Sequence, residues 1–230
     1  PRSIHSRWSA NEKTALEAAL GMSYAGKRAL ACMKHVGLNV AADIFMNAAV
    51  TGTNGGLVVA VADDPSMHSS QNEQDSRIFS AFAQTLTLEP CDVQEAYDMT
   101  IAAFALSEAL EIPVVLRLTT LLSHSRSVIV RQPEREANQA SLPEDATHFM
   151  LIPLYARKNW KRLIEKQETF REQSEMSAFN TLLDGPDHSV GIIATGVAYS
   201  YARDCLPGTP PAHPILKIGQ YPIPEKAIRE

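Results

Sequence analysis

The segment that most constrains the fold is Leu57-Val58-Val59-Ala60-Val61-Ala62, an unbroken apolar run bounded by turn residues. Such a run suits a parallel β-strand covered on both faces, because a strand with one wet face would alternate with polar residues. Residues 29–33 read as a shorter strand, and residues 114–118, following Pro113, as another buried one. Helical text fills the gaps. Ser9, Asn11 and Glu12 open a first helix, with Ser9-x-x-Glu12 at capping-box spacing. Ala15, Ala19, Met22 and Gly26 then recur at helical intervals, a small-residue face suited to close packing against a neighbouring helix. Residues 40–50 read as a second helix, leaving through a Gly-rich stretch at 51–56. Asp92-x-x-Glu95 caps a third, with Val93, Tyr97, Ile101 and Phe104 along one side. This alternation predicts an α/β fold with a doubly wound parallel sheet. Sheets of that kind bind ligands beyond the carboxyl ends of their strands. Three polar loops are expected there, at 34–39, 63–72 and 119–127.

The domain plan is a first domain over residues 1–130, a linker and crossover over 131–188, and the start of a second α/β domain over 189–230. Residues 131–147 are rich in Glu, Gln, Asn and Pro, and 153–170 read as a Lys- and Arg-rich helix. The second domain opens with a strand at 190–194 and a helix at 197–205. A Pro-rich turn, a strand at 215–218 and a helix begun by Pro224-Glu225-Lys226 follow. One β-α-β unit cannot cover both faces of its own sheet, so further chain is expected beyond it.

Charge and cysteine content exclude several classes of function. A net charge of −5 gives no basic excess for nucleic acid or anionic lipid. No stretch is long and apolar enough to span a bilayer, and residues 1–8 are too polar and basic for a signal peptide. Cys32, Cys91 and Cys205 are odd in number and far apart, which argues against a disulfide framework and for a reducing cytoplasm. They also cannot hold an iron–sulfur cubane by themselves, which needs about four thiolates.

Familiar motifs fail on inspection. Gly21-Met22-Ser23-Tyr24-Ala25-Gly26-Lys27-Arg28 is close to a P-loop, but Arg28 replaces the magnesium-binding hydroxyl and the helix precedes the loop. The same stretch mimics a nucleophile elbow, yet Ser23 falls inside a helix. The seven histidines show no metal-ligand spacing.

What remains is a set of polar residues at one edge of the sheet. It comprises Glu12, then Lys34-His35-Val36-Gly37-Leu38-Asn39, then residues 63–75, then Ser123-His124-Ser125-Arg126. Lys34, His35, His68 and Arg126 could together hold a carboxylate or phosphate. The competing reading is that these loops are merely solvated, and that Glu12 is a helix cap.

These strings resemble a known family. Asn11-Glu12-Lys13, Gly21 to Gly26, Met33-Lys34-His35-Val36-Gly37-Leu38-Asn39-Val40-Ala41-Ala42-Asp43, the run Val61 to Asp75 and Ser123-His124-Ser125-Arg126 are similar to the large subunits of indolepyruvate ferredoxin oxidoreductases. The similarity is strong over 9–127 and weaker at 191–196 and 216–229. It implies a pyrimidine-side domain for thiamine diphosphate. In that family a glutamate hydrogen-bonds a ring nitrogen of the aminopyrimidine, favouring the imino tautomer that deprotonates the thiazolium. The carbanion attacks an aryl pyruvate, carbon dioxide leaves, iron–sulfur clusters take two electrons and coenzyme A takes the acyl group. By position Glu12 matches that glutamate, both catalytic and cofactor-binding. One carboxylate cannot do this and also cap its own helix. The resemblance further implies Lys34, His35, His68, Ser70 and Gln71 on the substrate side, and Gly37 and Asn39 beside the cofactor.

Implied partners are a β subunit, ferredoxin and coenzyme A, with the domain forming a dimer. The family's first strand with its Pro-Gly-Thr-Pro loop has no counterpart before Ser9. Its diphosphate-side domain with the magnesium-binding Gly-Asp-Gly is absent, as are the cluster cysteines. The chain is therefore expected to be a fragment cut at both ends, holding half a cofactor site and inactive alone. Two alternatives stay open: a different 2-oxoacid oxidoreductase, such as one acting on phenylglyoxylate, and a non-catalytic scaffold module of the same fold.

Overall fold

A computed structural model describes residues 4–206 and 208–229. The first half of the chain runs α1 (Glu12–Tyr24), β1 (Ala29–Lys34), α2 (His35–Val40), α3 (Ala42–Thr51), β2 (Leu57–Asp63), α4 (Ser76–Ala83), β3 (Leu86–Leu88), α5 (Val93–Leu110), β4 (Val114–Thr119) and α6 (Thr120–His124). After a 3-10 turn (Ala146–Phe149) come α7 (Pro153–Glu165), α8 (Gln167–Glu175), β5 (Thr181–Leu183), β6 (Ile192–Thr195), α9 (Val197–Cys205), β7 (Ile215–Ile218), β8 (Gln220–Tyr221) and α10 (Glu225–Arg229).

The fold is α/β, as the apolar run at 57–62 requires. The main sheet has the order β1-β2-β4-β3-β8. Its first four strands are parallel. β8 closes one edge antiparallel to β3, through Thr87↔Tyr221 and Leu88↔Gln220. Successive strand residues point to opposite faces, so the complete burial of both Val58 and Val59 shows that helices cover the sheet on both sides. A second sheet has the order β5-β7-β6, with β5 antiparallel and β6 parallel to β7.

Several sequence expectations need correction. Residues 34–39 are not a loop: Lys34 ends β1 and the rest lie in α2, which abuts α3 at Ala41. Gly37 and Asn39 are poor helix formers, but complete burial of Leu38, Ala41 and Phe45 overrides that preference. The α1 cap is Asn11, whose side chain accepts from the Thr14 amide at 2.9 Å, so Ser9 and Glu12 form no capping box. The buried face of α1 is Leu16, Ala19, Leu20 and Ser23, packed on α3 and β1, while Met22 is half exposed. Ser23 does lie inside the helix, donating to the Gly55 carbonyl at 2.5 Å. The stretch 131–188 carries two helices, separated at Lys166, and also β5, which belongs to the second sheet. No helix among the described residues is long and apolar enough to cross a membrane.

Candidate functional site

The site is built where the parallel strands end. Lys34 closes β1, Asp63 closes β2 and Thr119 closes β4, so their side chains and the residues that follow share one edge of the sheet. α1 reaches the same edge from the other direction. It leads into β1 through the short turn 25–28 and runs back along that strand, so its first residue, Glu12, comes to the carboxyl end of β1.

Glu12 is half-buried. With Asn11 serving as cap, its carboxylate is not engaged in capping the helix. Among the described residues no hydrogen bond or ion pair engages it. Its stem lies against Gly37 of α2: a Cβ added at Gly37 would stand 2.5 Å from Glu12 Cγ and 3.0 Å from Cδ.

The loop 64–75 folds over the ends of β1 and β2. Lys34 Nζ donates to the Ser69 carbonyl at 2.9 Å. His35 is buried, with Nε2 3.0 Å from the Asn72 carbonyl and Nδ1 3.4 Å from the Ala62 carbonyl. Both ring nitrogens thus face backbone, and the imidazole clamps the loop instead of presenting a nitrogen to solvent. The hydroxyl of Ser70 is also used internally, donating to Asp64 Oδ2 at 2.7 Å. His68 and Gln71 have exposed side chains on the loop surface, and Asn39 is exposed on α2. Ser66 and Met67, at the loop tip, both have positive φ, at 67° and 55°. That conformation is uncommon for residues with a Cβ.

Two adjacent aspartates organise this edge, and the sequence reading gave neither a role. Asp64 accepts from the amides of Ser69 at 2.8 Å and His68 at 3.2 Å. It also accepts from the hydroxyls of Ser70 and Thr120, each at 2.7 Å. The Ser69 amide leads these donors in holding its carboxyl well below the ordinary carboxylate range. Asp63 points into the protein and is 1% exposed. Its Oδ2 accepts from Arg117 Nε at 2.7 Å and from the Ser76 amide and hydroxyl at 3.0 and 3.1 Å.

Arg117 continues to Glu89. Glu89 also accepts from the Tyr221 hydroxyl at 2.8 Å and meets Arg77 at 3.4 Å. Arg77 in turn holds Asp75 at 2.6 Å and reaches Thr195 of the second sheet at 3.3 Å. Burial, with the Glu89 carboxylate beside it, pushes the Tyr221 phenol up to about 12. An Asp directly after a buried strand, followed by Ser66, Ser69 and Ser70, is the signal that could have identified the Asp64 turn. The Arg117 network had only one sequence clue, a charged residue inside a strand read as buried. Among the described residues no group of three His, Cys, Asp or Glu side chains converges as a metal site.

Comparisons with known proteins identify the family. Residues 5–153 match the family described as pyruvate flavodoxin/ferredoxin oxidoreductase, thiamine-diphosphate-binding. The chain is 44% identical over 229 residues to indolepyruvate oxidoreductase subunit IorA of Pyrococcus abyssi, covering 96% of this chain and 35% of the relative. The namesake subunit of Archaeoglobus fulgidus is 43% identical over 228 residues, covering 98% of this chain and 36% of the relative. That of Methanothermobacter thermautotrophicus is 41% identical over 230 residues, covering 99% and 37%. The chain thus spans roughly a third of the length of these curated relatives.

Among solved structures it is similar in fold to 2-oxoglutarate:ferredoxin oxidoreductase from Magnetococcus marinus, whose structure holds 2-oxoglutarate, coenzyme A and succinyl-CoA. The TM-score is 0.70 at 16% identity, over 96% of this chain and 46% of that one. A family match over residues 5–153, on a sheet whose carboxyl edge gathers Glu12, Lys34 and the loop 64–75, means that this chain belongs to the pyruvate flavodoxin/ferredoxin oxidoreductase family through its thiamine-diphosphate-binding domain.

Proposed function

We propose that this chain supplies the pyrimidine-side half of a thiamine diphosphate site in a 2-oxoacid:ferredoxin oxidoreductase acting on aryl pyruvates of the indolepyruvate type. The observation that carries the reading is the state of Glu12. It stands at the carboxyl edge of the sheet, is released from capping by Asn11, and has no partner among the described residues. A carboxylate so placed fits a ring nitrogen that needs a hydrogen-bond partner in a poorly hydrated site, where such a bond is strong.

When bound, thiamine diphosphate supplies the electron sink that lets a 2-oxoacid lose carbon dioxide. The protein's part is positional and protic. Glu12 would hold the proton that its carboxyl group shares with the pyrimidine nitrogen of the bound cofactor. Lys34, His35 and Ser70 fix the loop 64–75 from below. That leaves His68 and Gln71 as the loop side chains facing outward toward substrate, and Gly37 and Asn39 on the cofactor side. Magnesium and the diphosphate would be held by residues outside this chain, and iron–sulfur clusters by other parts of the subunit. The overall reaction passes two electrons to ferredoxin and the aryl-acetyl group to coenzyme A. Assembly with a β subunit and dimerisation of the domain belong to the same proposal. Three unpaired cysteines support a cytoplasmic, reducing setting.

The test is Glu12→Gln in the complete enzyme, assayed by reduction of an electron acceptor with indolepyruvate and coenzyme A. A proton-transfer role predicts a loss of about 10²–10⁴-fold in turnover with an unchanged melting temperature. Near-normal turnover would return Glu12 to an ordinary surface carboxylate.

A further inference from the structure

Gly37 occupies the middle of a helix, where glycine is less favourable than alanine. Its backbone gives no reason for the choice, since it is not among the glycines with positive φ. The reason is spatial. A Cβ there would sit 2.5 Å from Glu12 Cγ, 3.0 Å from Glu12 Cδ and 3.0 Å from Met33 Cβ. Carbon atoms pack comfortably at about 3.5–4.0 Å. The volume that a side chain at position 37 would fill is already taken by the stem of Glu12.

The surroundings leave Glu12 as the group that must yield. Met33 Cβ is fixed to the backbone of β1, which is bonded to β2 through Met33↔Val61. α2 cannot retreat either, because Leu38 is fully buried and the buried His35 ring is held between the Ala62 and Asn72 carbonyls. Rotation about the Glu12 side chain is the remaining escape. Because the collision falls on Cγ, near the root of that side chain, even a modest rotation swings the carboxylate away. Gly21, inside α1, supplies the contrast: a Cβ there meets nothing within 4 Å.

We propose that Gly37 is a positioning residue whose missing side chain fixes the rotamer of Glu12 and so aims its carboxylate. The inference rests on the cofactor role proposed for Glu12, and it makes Gly37, placed above on the cofactor side, a residue that acts through that carboxylate.

The experiment uses the complete enzyme and four variants: Gly37→Ala, Glu12→Gln, the double variant, and Gly21→Ala as control. Gly37→Ala should lower kcat by about 10²-fold, since a misplacement on the order of 1 Å can cost that much. KM for the 2-oxoacid should stay near its normal value. Thiamine diphosphate, titrated calorimetrically without substrate, should bind about tenfold more weakly, the scale of one lost charged hydrogen bond. Gly21→Ala should leave all three quantities unchanged. The decisive comparison is the double variant. If Gly37 acts through Glu12, its substitution should cost nothing further in the Glu12→Gln background.

A multiplicative loss in the double variant would overturn the proposal, as would normal turnover and cofactor affinity in Gly37→Ala. Should Gly37→Ala melt early, its melting temperature is compared again in a Glu12→Ala background. Recovery there supports the collision with Glu12, and persistence, pointing to Met33, overturns it. Normal turnover in Glu12→Gln would instead remove the cofactor reading, a separate outcome from failure of the Gly37–Glu12 coupling.

Discussion

The two sheets of this chain are held in different ways. In the main sheet every residue of β2 except Ala62 is buried, and Leu57, Val58, Val59 and Val61 are wholly inaccessible. In the second sheet only β7 is buried along its full length. Leu182 of β5 is 56% exposed and Ile193 of β6 52%, and α9 buries no residue. The main sheet is thus fixed by apolar contact on both faces. The second is tied to it largely by charge and hydrogen bonds: Arg77 to Thr195, Lys217 to Glu95, and Glu89 packed against Gly196. A Cβ at Gly196 would lie 2.5 Å from Glu89 Oε1. The contrast bears on where a site can be placed. Rigid, two-sided burial sets the strand ends from which Lys34, Asp63 and Thr119 project, and that precision suits chemistry.

The largest expected effect comes from breaking the joint. Glu89 is 2% exposed and contacts Arg117, Arg77 and Tyr221 together. Glu89→Ala leaves the buried Arg117 guanidinium with only carboxylates of β2 and the 64–75 loop, and should cost about 3–5 kcal/mol by chemical denaturation. Hydrogen exchange should rise in both sheets. A loss below about 1 kcal/mol would mean that the ionic network does not couple them. A smaller effect sharpens the apolar side of the contrast. Leu57→Ala, at a fully buried position, should cost about 2–5 kcal/mol. Ile193→Ala, on the open sheet, should stay within about 0.5 kcal/mol. Equal costs at the two positions would erase the distinction drawn here.

What the sequence revealed follows the same division. Strands with strong apolar character were readable, and so were the bounds of α9 and β7, because local periodicity alone specifies them. β3 is three residues long and β8 two, too short for any period to register. The return of β8 to pair with β3 is a contact over more than a hundred residues that no local pattern encodes. α2 was hidden because Gly37 and Asn39 look like loop residues, and only burial of Leu38 makes the segment helical. At the site, position alone was legible. The polar residues at the strand ends were recognisable, but whether a side chain faces outward or holds the loop depends on partners such as the Asn72 and Ser69 carbonyls. Lys34, His35 and Ser70 therefore looked like ligand-facing groups, while Asp64, which orders the loop, was marked only by its place after a buried strand and before three serines.

The smallest effect concerns Asp64 and asks whether the carboxyl edge of the main sheet is itself polar in its cohesion. Its carboxyl titrates well below the ordinary range, chiefly because the Ser69 amide, then Ser70 and Thr120, bond the ionised form. In the unfolded chain an aspartate titrates near 3.9, that is, about pH 4. A folded-state value lowered from there gives stability that is fully present above about pH 4 and lost as pH falls toward the folded-state value. The stability difference between the wild-type protein and Asp64→Asn should therefore be constant from about pH 7 to pH 5 and shrink on further acidification. Carboxyl carbon NMR should show Asp64 still ionised where exposed aspartates are half protonated. The Ser69 amide should stay protected from exchange through that interval, since its acceptor remains charged. If the difference instead grew as pH fell, or Asp64 titrated with the exposed aspartates, the loop 64–75 would owe its order to Lys34 and His35 alone. The edge of the main sheet would then be held by hydrogen bonds from Lys34 and His35 to backbone carbonyls rather than by the Asp64 carboxylate.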